Sequence, residues 1–276
     1  MPLLPDLPRI QNAVELLDGP ASLSELEANF RDISRLNRYF GGSWVTRSHL
    51  VRLLGERRGG SVTVLDVGSG GADIPVRLVR WARRRGLALR VIAVDRDRHI
   101  LDVARRRAAA YPEISFVQAD GLRLPVRGGG VDAAISSLTL HHLEPDAAPG
   151  LLAEMGRTSR LGFVVNDLMR SRLAYVLVWL TTRIFAWNRM SRHDGPLSVR
   201  RAYSAREIGA LAERAGVAPV RITRHPLCLR LAVVGGVRSP STQRCRYGSA
   251  RGRARALPAQ SLGGGIGRGA EPPSEV

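Results

Sequence analysis

Short β-branched and apolar runs alternate with stretches of helical spacing from residue 56 to residue 235. That alternation is the pattern of a parallel α/β sheet. It predicts strands at Val62–Val67, Arg90–Val94, Ser115–Gln118, Ala133–Ser136, Gly162–Val165, Val220–Arg224 and Leu229–Val234. Helices fit between the first five. Only His225-Pro226-Leu227-Cys228 separates the last two, so these should form an antiparallel hairpin at one sheet edge. Residues 1–55 read as a helical cap, with Ser22-Leu-Ser-Glu25 resembling a capped helix start. From 236 to 276 Gly, Ser, Pro and Arg dominate without periodicity, and a disordered tail is expected.

Composition changes this picture in a few ways. The chain has 276 residues and a net charge of +18, and all 42 basic residues are arginine. With no lysine there is no Schiff base, no P-loop lysine and no kinase strand lysine. The positive charge suits an anionic partner, or simply reflects an arginine-rich composition; seven arginines and two glutamates fall in the tail. Cys228 and Cys245 are too few for a disulfide framework or a zinc site, which fits a reduced, cytoplasmic location. The start, MPLLPDLPRI, does not read as a signal peptide. The most apolar window, around Leu173–Leu180, is too short to span a bilayer, which needs about 20 residues.

The most informative stretch is Val64-Leu-Asp-Val-Gly-Ser-Gly-Gly-Ala-Asp-Ile-Pro75. It reads as a buried strand, a glycine turn and a helix beginning at about Asp73. Gly68 and Gly70 let backbone approach a ligand closely. A dinucleotide fingerprint would need a glycine where Asp73 stands, and an acid there would repel a pyrophosphate. Asp66 precedes the turn, Asp95 ends the second strand and Asp120 follows the third. Three acids on the ligand-binding edge of the sheet suit a ligand with positive groups.

The order LDVGSGGADIP, VIAVDRD, FVQADGLRLP, VDAAISSLTLHHLEP resembles the class I S-adenosylmethionine-dependent methyltransferases over about residues 60–235. The resemblance implies a Rossmann-like, seven-stranded, mostly parallel α/β sheet with an antiparallel C-terminal hairpin strand. It implies S-adenosyl-L-methionine as cofactor, with Asp66, Gly68 and Gly70 at the methionine portion, Asp95 at the ribose, and Asp120 and Gly121 at the adenine. Ala72 departs from the family's third glycine, and Arg96 replaces its apolar adenine contact. The segments around Asn166-Asp167-Leu168 and His193-Asp194-Gly195-Pro196 are similar to the ubiquinone/menaquinone-type and type III polyketide-associated enzymes. That subset implies a small acceptor, apolar or aromatic, and O-methylation.

A phenol or enol acceptor must lose a proton, and histidine is the best available base. The candidates are His141, His142 and His193, the last in a polar HDG turn and oriented by Asp194. Strand five is expected to deliver Asn166 and Asp167 to the acceptor, and Arg38 or Tyr39 to close the pocket. No histidine–carboxylate spacing signals a metal. Residues 171–190 form an apolar lid helix that packs on the sheet, walls the pocket, or touches a membrane surface with help from Arg170, Arg172, Arg183 and Arg189. Two alternatives stand beside this reading. An RNA methyltransferase would explain the charge, but Ser136-Ser-Leu-Thr139 lacks the Asp/Asn-Pro-Pro-aromatic turn of amino-methylating enzymes, and no nucleic-acid partner is expected. A non-catalytic binding module would fit better had the three acids been lost.

Overall fold

The computed structural model describes residues 7–55 and 60–236; the tail, and with it the disorder expected there and Cys245, lies outside the described residues. The helices and strands are α1 (Leu23–Tyr39), α2 (Gly42–Leu54), β1 (Ser61–Val67), α3 (Asp73–Arg83), β2 (Ala88–Asp95), α4 (Arg98–Arg107), β3 (Ile114–Gln118), β4 (Val131–Ser137), α5 (Ala148–Thr158), β5 (Ser159–Leu168), α6 (Arg172–Phe185), α7 (Arg189–Arg201), α8 (Ala205–Arg214), β6 (Arg221–His225) and β7 (Arg230–Gly235). The strands form one sheet in the order β3-β2-β1-β4-β5-β7-β6. β1 to β5 pair in parallel. β7 runs antiparallel to both β5 and β6, as the short link between the last two strands requires.

β1 shows why the sheet is covered on both faces. Its side chains alternate, so Val64 and Leu65 point to opposite sides, and both are fully buried. Val62 and Val64 join Leu78 and Val79 of α3 and Leu50 and Leu54 of α2. Leu65 and Val67 join Leu151, Leu152 and Met155 of α5 and Ile208 and Leu211 of α8. Each such side chain contributes about 1.5–3 kcal/mol when removed from water.

Helix α2, grouped by its sequence with the cap, is a sheet helix. The buried Asn166 amide of β5 donates to the Gly42 carbonyl and to Thr46 Oγ1, both at 2.9 Å. The layer above the strand ends is made instead by α1, α6 and α7. α1 begins with a capping box in which Ser22 and Glu25 bond reciprocally. It buries Leu26 and Phe30 against Ile100 and Val103 of α4 and Met190 of α7. Ahead of α1, Arg9 bonds Glu144 at 3.0 Å and the amides of Leu16 and Leu17 donate to the Asp194 carboxylate at 2.8 and 3.0 Å. These bonds tie the segment before α1, with its 3-10 turn Leu16–Asp18, to the loop between β4 and α5 and to α7.

Candidate active site

The sheet changes winding direction between β1 and β4, and such a point opens a crevice at the strand ends. A cavity of about 510 Å³ lies there, within the range of small-molecule sites. Its walls include Asp66, Gly68, Gly70, Asp95, Asp120 and Gly121, together with Asp73. The loop is shaped for close approach. Gly68 has φ +70°, and a Cβ on it would collide with Thr139. Gly71 packs so closely under Phe30 that a Cβ would come within 2.6 Å of that residue's own Cβ. Ala72 takes the left-handed conformation at φ +58° and is fully buried, so this chain meets the family's third-glycine geometry with an alanine.

The electrostatics of this end favour a cation. Burial pushes Asp66 up to about 7, and the Asp73 and Asp95 carboxylates push it the same way. Asp95 is also raised by burial, although it accepts from the Gly70 amide at 2.9 Å and the Asp97 amide at 3.2 Å. Those bonds use its two oxygens once each, and a carboxylate oxygen has a second lone pair for a ligand hydroxyl. Asp120 accepts from the Leu122 amide at 2.9 Å. Asp73 is held by the Asn37 amide at 3.1 Å, and Asn37 in turn accepts from Arg230 at 2.9 Å. Asp66 and Asp95, both raised by burial and with no arginine among the groups that shift them, fit a ligand bearing a sulfonium and an ammonium group.

The other end of the cavity holds His141 and His142, in the 3-10 turn Leu140–His142 after β4. His141 is buried, and its Nδ1 lies 2.6 Å from Asp167 Oδ1. Asp167 also accepts from the His141 and Leu168 amides, at 3.0 and 2.7 Å. Burial pushes Asp167 up, but the His141 ring and these bonds outweigh it and the net direction is down. His142 Nδ1 lies 3.1 Å from Asp18 Oδ2. Both Nε2 atoms face Glu15, at 3.7 Å for His141 and 3.6 Å for His142. Glu15 is only 3% exposed at its side chain, and burial raises it to about 7. Apolar side chains of the cap, among them Ile33, Leu36, Phe40 and Val178, complete the walls.

Several expectations are corrected here. His193 is not in a turn and does not line the cavity. Residues 189–201 are helical despite Pro196, and the His193 side chain is half exposed on α7, 2.8 Å from Asp194. Asp194 does not serve mainly to orient that histidine; it anchors the segment that carries Glu15. Asn166 is not delivered to the acceptor, since its amide holds α2. Asp167 does not line the cavity and reaches it through His141. Tyr39 is 73% exposed, with the Arg38 guanidinium over its ring, and their neighbour Asn37 lines the cavity instead. Arg96 lies at the exposed rim of the cavity and pairs with Asp18 at 3.1 Å. The lid helix packs mainly on α7 and meets the sheet only at its end, where Ala174, Tyr175 and Val178 lie in one cluster with Leu168 of β5. Val178, Thr181 and Thr182 face the cavity, while Leu173, Val176, Trp179, Leu180, Ile184 and Phe185 are exposed. Arg170 is withdrawn from that surface, bonded to Glu207 and the Ala202 carbonyl.

Glu15 and Asp18 were missed by sequence reasoning. The only local signal is an acid set among apolar residues, Val14-Glu15-Leu16-Leu17.

Sheet order, glycine turn and strand-end acids together have the arrangement of the class I S-adenosylmethionine-dependent methyltransferase fold. Residues 64–162 match the methyltransferase domain family. The chain is 33% identical over 126 residues to an uncharacterized methyltransferase of Mycobacterium tuberculosis, covering 44% of this chain and 60% of that protein. It is 37% identical over 84 residues to the 2-phytyl-1,4-naphtoquinone methyltransferase of Trichormus variabilis, covering 29% of this chain and 35% of that one. Among solved structures, human N-acetylserotonin methyltransferase in complex with S-adenosylmethionine superposes with a TM-score of 0.57 at 13% identity, covering 79% of this chain and 57% of the human one. This chain thus spans about 60% of the length of the first curated relatives. Among the described residues no helix is long and apolar enough to cross a membrane.

Proposed function

We propose that this protein transfers a methyl group from S-adenosylmethionine to an oxygen of a small apolar acceptor, aromatic, quinol-like or polyketide-like. The observation that carries this reading is that one cavity joins the cation-binding acids to a histidine pair under an apolar roof. When bound, the cofactor supplies an electrophilic methyl group on its sulfonium. Asp66 and Asp73 hold the charged methionine end, Asp95 the ribose, and Asp120 with Gly121 the adenine. The sheet edge and the cap fix donor and acceptor in line, which is worth roughly 7–11 kcal/mol in favourable cases. α1, α6 and α7 exclude water. Nε2 of His142, with Nδ1 committed to Asp18, takes the proton from the acceptor hydroxyl. His141, fixed by Asp167, and Glu15 complete the proton-accepting cluster.

The match to the naphthoquinone enzyme supports a quinol-type acceptor, and the exposed face of α6 supports delivery of that acceptor from a membrane surface. Phe185 continues that face to Phe40 of the cavity wall, with ring centroids 6.4 Å apart. Arg172, Arg183 and Arg189 are exposed beside it and would meet anionic headgroups. The free thiol of Cys228 suits a cytoplasmic location. The test is methyl transfer from radiolabelled S-adenosylmethionine to a panel of naphthoquinols, alkylresorcinols and hydroxypyrones. Labelled methyl ether from one of these classes is expected. Labelling of RNA instead would overturn the reading.

A further inference from the structure

Glu15, His141 and His142 present one oxygen-bearing and two nitrogen-bearing ligands whose donor atoms lie within 4.8 Å of one another. The two Nε2 to carboxylate-oxygen separations, 3.7 and 3.6 Å, are too long for hydrogen bonds. They are close to the spacing of two ligands that share a cation: bonds of about 2.0–2.2 Å at tetrahedral angles place their donors roughly 3.4 Å apart.

The histidines are also prepared as ligands. Each commits Nδ1 to a carboxylate, His141 to Asp167 at 2.6 Å and His142 to Asp18 at 3.1 Å. A carboxylate partner places the ring proton on Nδ1 and leaves the Nε2 lone pair facing Glu15. Metal-binding histidines almost always have such a partner. Glu15 Oε1 is buried without a hydrogen-bond partner. Its nearest cation, Arg201 Nη1, stands 3.8 Å away and is itself without a hydrogen bond. A buried acceptor in this state is costly, and a ligand that pairs with it removes the cost.

We propose that Glu15, His141 and His142 form a binding site for a divalent transition-metal ion, with its remaining coordination positions open to the cavity. Two imidazoles and one carboxylate with open positions suit zinc or ferrous iron and are poor for magnesium or calcium. The charges agree. Asp18 is paired with Arg96 at 3.1 Å, whereas Glu15 has, among the described residues, only Arg201 at 3.8 Å, so Glu15 is the carboxylate left to meet a dication. The proposal rests on the reading of this cavity as the acceptor site, and it narrows the acceptor. An open metal there selects molecules with a hydroxyl beside a carbonyl or a second hydroxyl, which bind through two oxygens. With an ion held, the Nε2 lone pair of His142 would not be free to act as the base assigned to it above, and the charge of the ion would favour the ionised acceptor hydroxyl in its place; histidine substitutions alone therefore do not separate the two roles.

Direct metal binding separates them. Untagged, chelator-treated full-length protein is titrated with cobalt(II), read by its visible absorption, and the cobalt is then displaced with zinc(II), in the absence of S-adenosylmethionine and acceptor. One ion per chain is expected. Glu15→Gln and His142→Ala should weaken binding about 100-fold or more, and Asp18→Asn, which only orients His142, about 10–100-fold. Binding of S-adenosylmethionine by each variant shows that it is folded, and its loss in the wild type would count against the methyltransferase reading without touching the metal result. The other histidine pair, His49 and His225, whose Nε2 atoms are 2.9 Å apart, is the competing site. His225→Ala should leave cobalt binding unchanged. The proposal is overturned if the wild type binds no cobalt, if Glu15→Gln binds it undiminished, or if His225→Ala removes it.

Discussion

At one end of the cavity Asp66, Asp95 and Asp120 hang from consecutive parallel strands and the turns that follow them. At the other, His142 meets Asp18 across 124 positions of sequence, and Glu15 arrives on the segment before α1, pinned by Asp194. The first end is held by the sheet ladder, in which Asp95 pairs in register with Gln118. The second is held by side-chain bonds to the cap. The cofactor is common to a whole class and the acceptor differs between members. A rigid half and an adaptable half match that division of labour, since sites on strands are positioned more precisely than sites on loops.

The substitution expected to sharpen this contrast most is His142→Ala. Turnover with a hydroxyl acceptor should fall about 10²–10⁴-fold, while calorimetry should find S-adenosylmethionine affinity unchanged. Equal losses in both would merge the two ends into one unit. The next effect is a pH dependence of cofactor affinity set at the acid end. Asp66 is raised to about 7 in the free protein, so it is protonated below that pH and ionised above it. A cationic ligand prefers the ionised form. Affinity for S-adenosylmethionine should therefore weaken as pH falls through about 7, approaching tenfold per pH unit below it. Asp66→Asn should flatten the profile, and a flat wild-type profile would remove Asp66 from the cofactor's contacts.

A smaller effect concerns the outer face of the cap. Exchanging Trp179 and Leu180 together for serine should reduce co-sedimentation with anionic phosphatidylglycerol vesicles severalfold. Phosphatidylcholine vesicles should bind weakly in either case. Unchanged sedimentation would leave the α6 face without a membrane role. The smallest effect is expected at His193→Ala, where turnover should stay within about twofold of wild type, because the ring stands outside the cavity.

The parts legible in the sequence were those fixed by local pattern. All seven strands follow from β-branched runs, and the reversed last strand follows from the four-residue link before it. The acids at the strand ends follow from strand position alone. The acceptor end depends on tertiary bonds that no window of sequence contains. His193-Asp194-Gly195-Pro196 carries turn signals, yet it is helical. Gly195 lets α7 press against Thr182 of α6, where a Cβ would come within 2.8 Å of the threonine methyl, and Asp194 caps two amides of the N-terminal segment. Packing overrides the local preference there. Asn166 looked like an acceptor contact because it follows a buried strand run, but its two bonds to α2 commit it to structure.

The central claim is that the strand-end acids bind S-adenosylmethionine, and calorimetric titration of the cofactor into wild type and Asp95→Ala tests it most directly. Two charge-assisted hydrogen bonds at about 1.5–3 kcal/mol each predict one site per chain in the wild type and a loss of roughly 10²–10⁴-fold in the variant. No binding by the wild type, or equal binding by both proteins, would contradict the account.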